Sequence, residues 1–169
     1  LGGGSSNAAT TLKALADLFG LSASTDDLHH VAAMLGSDTA FFLRGGCAVG
    51  RGRGELLEPV TGVAAYDLVL VFPEQGVSTA WAYGELSRRG RPRPPMEMSA
   101  FLEILGSGDP AALAGSVHND FEAVASGMRW FEEARAALLG AGCTAAFLSG
   151  SGSTVVGVVS KEINSSEIA

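Results

Sequence analysis

The chain has 169 residues, of which 47% are hydrophobic and 17% are charged. This balance supplies enough apolar side chains for a packed core and excludes a disordered chain. The formal net charge is −7, and nucleic-acid binding, which needs clustered Lys and Arg, is not expected. The densest basic stretch, at residues 88–93, is interpreted as a solvated loop, with a patch for an anionic substrate as the alternative.

The use of cysteine indicates a reducing compartment. Cys47 and Cys143 stand far apart in the sequence, and two such residues form neither a disulfide framework nor a metal site of recognisable spacing. We therefore expect free thiols and a cytoplasmic protein. No apolar run is long enough to span a bilayer, so a membrane is not expected as a partner.

Hydrophobic spacing predicts a mixture of helices and strands. The predicted helices cover residues 7–19, 24–35, 79–88, 110–114 and 121–139, and the second begins at a capping box of the S-x-x-D form. The predicted strands cover residues 41–49, 66–72, 144–148 and 154–159, and a Pro- and Arg-rich loop is expected at 90–95. Because helices and strands alternate without a strict βαβ pattern, the predicted fold class is α+β.

Three glycines and two serines, at positions 2–6, stand directly before the first predicted helix. Glycine lets backbone N–H groups converge on an anion, because no Cβ blocks the approach. The helix that follows points its positive end at the same place. The segment is therefore a candidate phosphate cradle. It is not a Walker A loop, since Lys13 lies about two turns into the helix. A glycine-rich linker capped by Ser6 is the alternative.

A single aspartate, Asp38, stands between the end of the second predicted helix and the apolar run at 41–49. An unpaired carboxylate buried at such a place would be costly, so we expect it to have a partner or a task. Beside a nucleotide phosphate it could accept a proton from a substrate hydroxyl. An aspartate that caps a helix or forms a turn is the alternative.

A second glycine-serine segment, residues 149–153, separates the last two predicted strands. A tight hairpin at this place needs no function. A second wall of a phosphate pocket, however, would account for both glycine-serine segments at once. We expect the first segment and the carboxylate of Asp38 to converge on the triphosphate of one nucleotide.

Four segments carry a resemblance to a known family. In chain order they are LGGGSSNAATTL, LGSDTAFFLRGGCAVGRGRGELLEPV, GVSTAWAY and LSGSGSTVVGV. In this combination the sequence resembles the GHMP kinase superfamily, from residue 1 to about residue 159. The resemblance implies the GHMP kinase fold, here the phosphate-loop helix region followed by a ferredoxin-like α/β sandwich. It assigns residues 1–60 to the remainder of the N-terminal domain and residues 61–169 to the C-terminal domain.

The resemblance also implies an activity and a set of site residues. The activity is ATP-dependent phosphorylation of an alcohol on a small molecule, a cytidine diphosphate alcohol, with Mg²⁺ bridging the phosphates. Asp38 matches the catalytic residue, and Thr79 and Tyr83 match positions near the substrate. The positions that match ATP-binding motifs are Leu1, Gly2, Gly3, Gly4, Ser5, Ser6, Asn7, Gly150, Ser151 and Gly152. No side chain is assigned as a metal ligand, and the oligomeric state stays open.

In two respects the sequence departs from the family pattern. In the family a β-rich half, with a lysine that partners the aspartate, precedes the phosphate loop. Without that half we expect the chain by itself to bind ATP weakly and to have little kinase activity. Ala40 stands where the family usually has proline, which is expected to loosen the turn after Asp38. The alternatives are another kinase of the family, acting on a sugar, homoserine or a mevalonate-type substrate, and an inactive nucleotide-binding module.

Overall fold

A computed structural model describes residues 1–90 and 96–160 of the chain. The chain divides into two compact units, Leu1–Gly62 and Val63–Ala169. Each unit contains both helices and strands, which confirms the predicted α+β class. Within the described residues, no helix has the length and apolar character needed to cross a membrane.

The first unit is a group of three helices followed by a hairpin. Its elements are α1 (Gly3–Leu18), α2 (Thr25–Leu35), α3 (Thr39–Arg44), β1 (Cys47–Arg51) and β2 (Leu56–Val60). The two strands pair antiparallel. The core between the helices consists of Ala9, Ala32, Ala40 and Leu43. The alanines let the helix backbones approach closely, and the ammonium of Lys13 donates a 2.8 Å hydrogen bond to the carbonyl of Leu43 near the end of α3.

The second helix begins as its sequence predicts. The Ser24 side chain accepts from the Asp27 N–H, and the Asp27 carboxylate accepts from the Ser24 N–H, which is a capping box. The hydrogen bond from the Ser24 hydroxyl is the largest cause that lowers the pKa of Asp27. The two partners therefore satisfy amides that an uncapped helix would leave unpaired.

The strand predicted at residues 41–49 is wrong over its first half, because residues 39–44 form the helix α3. Ala40 and Leu43 are buried at a spacing of three, which suits a helix that packs on two others. In the run TAFFL the one polar residue, Thr39, is buried as well, so no exposed polar position reveals this period, and the aromatic residues favoured a strand. The turn that Ala40 was expected to loosen is the first turn of α3, where Ala40 is buried. Strand β2 was not predicted.

The second unit is a three-stranded antiparallel sheet covered by helices on both faces. Its helices are α4 (Thr79–Arg89), α5 (Met98–Ser107), α6 (Pro110–Ala114), α7 (Glu122–Ala125) and α8 (Arg129–Gly140). Its strands are β3 (Leu68–Val71), β4 (Cys143–Leu148) and β5 (Val155–Val159), in the order β3-β5-β4. Side chains that alternate along the strands therefore enter two separate cores.

The two cores of this unit lie on opposite faces of the sheet. On one face, Phe131, Ala134 and Leu138 of α8 pack with residues such as Ala146 and Val155. On the other face, the cluster contains Leu113 of α6, Ala145, Val158, Tyr66, Phe101 and Ile104. The arrangement is a sandwich of helices and sheet, as the resemblance implies.

Two predictions for this unit need correction. The long helix predicted at 121–139 is two helices, α7 and α8, separated at Gly127, whose φ of 82° lies in the left-handed region. Helix α5 was not predicted. The predicted loop at 90–95 lies, from residue 91 on, outside the described residues, as does the tail at 161–169.

Close packing of α8 on the sheet depends on a glycine in the middle of β5. A Cβ at Gly157 would lie 2.7 Å from Cys143 Sγ and 2.9 Å from Leu138 Cδ2. Both neighbours are buried, and burial raises the pKa of the Cys143 thiol. Neither side chain has open space into which to move.

We therefore expect Gly157→Ala to lower the free energy of unfolding of the second unit by about 1–3 kcal/mol, the cost of overpacking a core. Both tryptophans of the chain, Trp81 and Trp130, lie in this unit, so tryptophan fluorescence during urea unfolding measures the change. Gly140→Ala is the matched control, because a Cβ at the end of α8 would meet no atom within 4 Å. Equal stability of the two variants would contradict the packing argument.

Candidate functional site

The first helix begins earlier than predicted, so most of the opening glycine-serine segment is helical. Gly2 is the N-cap, with a left-handed φ of 69°, and α1 starts at Gly3. No side chain caps this end, and the first amide of the turn to bond back is that of Ser6, which donates 2.9 Å to the Gly2 carbonyl. The N–H groups of Gly3, Gly4 and Ser5 consequently project from the helix end without an intrahelical acceptor. The segment predicted to precede the first helix is therefore the N-terminus of that helix.

The glycines of this turn differ in whether packing requires them. A Cβ at Gly2 would lie 2.8 Å from Phe42 Cε2, and its positive φ disfavours other residues. A Cβ at Gly3 or Gly4 would meet no atom within 4 Å. Packing against residues 1–90 and 96–160 therefore requires Gly2 but neither Gly3 nor Gly4, although glycine in a helix costs stability relative to alanine. The open space outside Gly3 and Gly4 is room for a ligand.

The remaining residues predicted for this segment surround the same helix end. Ser5 and Ser6 are half-buried in the first turn, whereas Leu1 precedes the cap and is exposed. Asn7 is exposed in the second turn, where it lines a shallow groove along α1. The amide of Asn7 lies beyond the turn with unpaired N–H groups, so its side chain alone could reach a ligand there.

The structure places Asp38 at the start of α3, exposed rather than buried. It is the N-cap residue, yet its side chain makes no capping hydrogen bond. The argument from the cost of burying a carboxylate is therefore wrong for this residue. Phe42, which contacts Gly2, follows Asp38 by four residues, a rise of roughly 6 Å along α3. The carboxylate and the first turn of α1 thus belong to neighbouring helix N-termini of one unit.

The turn of the hairpin β1–β2 also approaches Asp38. A Cβ at Gly54 would lie 3.8 Å from Asp38 Oδ1. Gly54 has a φ of 106°, and its N–H donates to the Arg51 carbonyl at 3.0 Å. The backbone, without a side chain, is therefore what faces the carboxylate on this side.

In the second unit, the glycine-serine segment at 149–153 forms the connection between β4 and β5. Gly150 and Gly152 have φ values of 55° and 92°, which a glycine-rich turn requires. The Ser149 N–H donates to the Thr154 carbonyl at 2.9 Å, which closes the turn. A Cβ at Gly152 would lie 3.3 Å from the Trp130 ring. The connection is therefore a defined turn and not a loose linker.

Two polar side chains that the sequence did not single out bind the backbone here, Asn119 within the turn and Glu122 at the end of β4. The amide of Asn119 donates to the carbonyls of Leu148 and Gly150, each at 2.8 Å. The carboxylate of Glu122 accepts from the Leu148 N–H at 2.8 Å. His118 contacts Asp120 at 2.8 Å, and the Asn119 side chain accepts from the Phe121 N–H. The sequence did contain a signal for Asn119. Asn is favoured at the start of a helix, and this Asn stands directly before an Asp and an aromatic residue.

Two predicted residues from different segments meet in this unit. The hydroxyls of Thr79, at the start of α4, and Ser151 lie 3.0 Å apart. One turn further along α4, the exposed Tyr83 packs edge-on against Phe121, with ring centroids 4.9 Å apart. Beside these rings is an open cavity of about 630 Å³, lined by Tyr83, Leu86, Ser87, Gly90, His118, Asn119, Asp120 and Phe121.

No cluster of three or more His, Cys, Asp or Glu side chains in residues 1–90 and 96–160 could hold a metal ion. A metal at the first unit would therefore depend mainly on ligand oxygens. The hard oxygen donors that suit Mg²⁺ there are the Asp38 carboxylate and the hydroxyls of Ser5 and Ser6.

Comparison with known proteins adds family relationships to this geometry. The profile "GHMP kinases N terminal domain" matches residues 1–46, and "GHMP kinases C terminal" matches residues 98–169. A 4-diphosphocytidyl-2-C-methyl-D-erythritol kinase of Nocardioides sp. is 42% identical over 164 residues, covering 89% of this chain and 55% of the relative. The kinase of the same name from Synechococcus sp. is 41% identical over 170 residues, covering 94% and 54%. The chain spans about half the length of these relatives.

Solved structures give the same relationship. The crystal structure of 4-(cytidine 5'-diphospho)-2C-methyl-D-erythritol kinase matches 94% of this chain and 56% of its own, with a TM-score of 0.71 and 34% identity. Homoserine kinase from Cytophaga hutchinsonii, at 21% identity and a TM-score of 0.63, shares the fold. Because profiles of one family match both ends of the sequence and its relatives and their folds agree along nearly all of it, the chain belongs to the GHMP kinase family.

Proposed function

We propose that the protein is an ATP-dependent kinase that phosphorylates the 2-hydroxyl of 4-diphosphocytidyl-2-C-methyl-D-erythritol, a step in the non-mevalonate synthesis of isoprenoid precursors. The observation that carries the kinase proposal is the first turn of α1, where uncapped amides project into open space beside two glycines that packing does not require. The names of the relatives support the choice of substrate.

The N-terminus of α1 binds the phosphates in this proposal. The N–H groups of Gly3, Gly4 and Ser5 donate to phosphate oxygens, and the helix dipole adds favourable electrostatic energy for an anion. Hydrogen bonds to a charged acceptor are stronger than those between neutral groups. Glycine at both positions lets the oxygens approach the backbone closely.

Asp38 has the role of orienting the acceptor hydroxyl and accepting its proton. Its carboxylate is exposed and does not cap α3, so it is available to a substrate. Phosphoryl transfer depends mostly on positioning and on neutralising charge on the oxygens. Ser5, Ser6 and Asp38 are the residues whose oxygen donors would hold Mg²⁺, which would supply part of that neutralisation when bound.

The second unit contributes binding groups in this proposal. We assign Gly150, Ser151 and Gly152 to the phosphates of the nucleotide. Thr79 and Tyr83 lie on one face of α4, and we assign them to the cytidine diphosphate alcohol. The exposed ring of Tyr83, beside the open cavity, offers an apolar surface to such a substrate. We also propose a cytoplasmic location, where ATP is present and the free thiols of Cys47 and Cys143 stay reduced.

Gly4→Ala separates ligand binding from folding. We expect the variant to be more stable by about 0.4–1 kcal/mol, because alanine restricts the unfolded chain and fits the helix. We expect its affinity for ATP to fall by roughly tenfold, because a methyl group enters the space for the phosphates. Thermal unfolding followed by circular dichroism, and calorimetric titration with ATP, measure the two effects.

Gly140→Ala is the control for this experiment, since it adds the same methyl group at the end of a helix in the second unit. Its affinity for ATP should equal that of the unsubstituted protein. A Gly4→Ala variant that binds ATP with unchanged affinity would remove phosphate binding from the start of α1.

Asp38→Asn tests the role of the carboxylate in the chemical step. In the complete gene product we expect turnover to fall by roughly two to four orders of magnitude, the usual contribution of a general base. The KM for ATP should change much less than turnover, because the amide keeps the shape of the side chain and one oxygen donor. Near-normal turnover in this variant would exclude Asp38 as the base.

A substrate panel tests the specificity. The complete gene product is assayed with ATP and, in turn, 4-diphosphocytidyl-2-C-methyl-D-erythritol, homoserine, mevalonate and galactose. Phosphorylation of the cytidine diphosphate alcohol alone is expected. Turnover of another member of the panel would assign a different activity within the family, and ATP binding without any turnover would identify an inactive nucleotide-binding module.

A further inference from the structure

The turn between β4 and β5 has amides that its own fold does not use. The N–H groups of Ser149 and Gly152 donate within the turn, at 2.9 Å and 3.1 Å. The N–H groups of Gly150 and Ser151 have no acceptor among the residues that the structure describes. Two consecutive amides without an acceptor, one of them at a glycine with positive φ, are donors that suit an anion.

Asn119 determines which way one of these amides points. The carbonyl of Gly150 and the N–H of Ser151 belong to the same trans peptide group, in which they point in opposite directions. The Gly150 carbonyl accepts a 2.8 Å hydrogen bond from the Asn119 amide. Because the carbonyl faces Asn119, the Ser151 N–H faces away from it.

The Asn119 side chain is itself held in one orientation. Its oxygen accepts from the Phe121 N–H at 3.0 Å, just before α7, and its nitrogen also donates to the Leu148 carbonyl at 2.8 Å. If the Asn119 amide were flipped, its NH₂ group would face the Phe121 N–H, and its oxygen would face the carbonyl oxygens of Leu148 and Gly150. The three hydrogen bonds therefore fix the peptide group between residues 150 and 151.

We propose that Asn119 is a positioning residue for phosphate binding, which holds the peptide of Gly150 and Ser151 so that the Ser151 N–H donates to a phosphate oxygen of ATP. Asn119 acts through the backbone and does not contact the nucleotide. The hydroxyl pair of Thr79 and Ser151, at 3.0 Å, holds the same residue from its side chain. This inference rests on the proposed function, and it adds a residue that no sequence motif indicated.

The test is a titration of the protein with ATP, followed by NMR of its backbone amides. In the unsubstituted protein, the resonance of Ser151 should shift together with those of Gly3, Gly4 and Ser5. Asn119→Asp keeps the acceptor for Phe121 but loses both donors, and Asn119→Ser keeps a capping oxygen without adding charge. Each variant should bind ATP roughly tenfold more weakly, the effect of losing one hydrogen bond to a charged acceptor, and the Ser151 shift should be lost.

Glu122→Ala is the control, because Glu122 bonds the Leu148 N–H and not the peptide of residues 150 and 151. It should lower the unfolding temperature and leave the affinity for ATP unchanged. A purely structural role for Asn119 would instead give equal affinities for all variants that fold, which would overturn the proposal.

The titration of the unsubstituted protein with ATP tests phosphate binding by the Ser151 N–H even if the Asn119 variants do not fold. Shifts at Gly3, Gly4 and Ser5 without a shift at Ser151 would overturn the role of Asn119 and leave the proposed function in place. The absence of any amide shift at saturating ATP would overturn both. Shifts at both places, in a protein whose Ser151 amide gains protection from hydrogen exchange, would support the proposal.

Discussion

The start of α1 depends on a single backbone constraint, the left-handed conformation of Gly2. With Gly2 as N-cap and no side chain to cap the helix, three amides remain unpaired at one helix end. Phe42 packs against Gly2, so the same glycine also fixes where α1 meets α3. A helix end with unpaired donors is unfavourable unless water or a ligand satisfies them. Stability and ligand binding therefore place opposite demands on neighbouring glycines: Gly2 serves the fold, whereas Gly3 and Gly4 lower its stability.

In the second unit, side chains rather than helix geometry bind the unpaired backbone groups. Asn119 satisfies two carbonyls at the turn between β4 and β5, whereas Glu122 satisfies only the Leu148 amide at the end of β4. Paired polar groups of this kind keep a glycine-rich turn in one conformation, which a glycine-rich chain would otherwise not retain because of its high entropy. In the first unit, the geometry of α1 directs the free N–H groups. In the second unit, the side chain of Asn119 directs the Ser151 N–H, because it holds the carbonyl of the same peptide group.

The sequence predicted the elements whose periods are unambiguous, and it failed where a short apolar run fits two periods. The capping box at Ser24 and the helix at 110–114 follow from local side-chain chemistry, and both are confirmed. The run at 41–44 forms a helix because two other helices cover it, which is tertiary information. Sequence motifs were enough to select the candidate site residues. They could not predict that Asp38 is exposed, because burial depends on how the whole unit packs. Asn119 was missed because its role lies in backbone hydrogen bonds to residues about thirty positions away.

The exposure of Asp38 changes the argument for its role. A buried carboxylate would have needed a partner and would have had its proton affinity set by desolvation. The carboxylate of Asp38 is instead exposed at the N-terminus of α3 and caps no helix amide, so it is open to a substrate hydroxyl. In the proposed reaction such a carboxylate orients the hydroxyl and receives its proton late in a loose phosphoryl transfer, where little base strength is needed. The proposed phosphate site and the proposed acceptor carboxylate therefore belong to two helices of one unit, α1 and α3, which pack together where Phe42 meets Gly2.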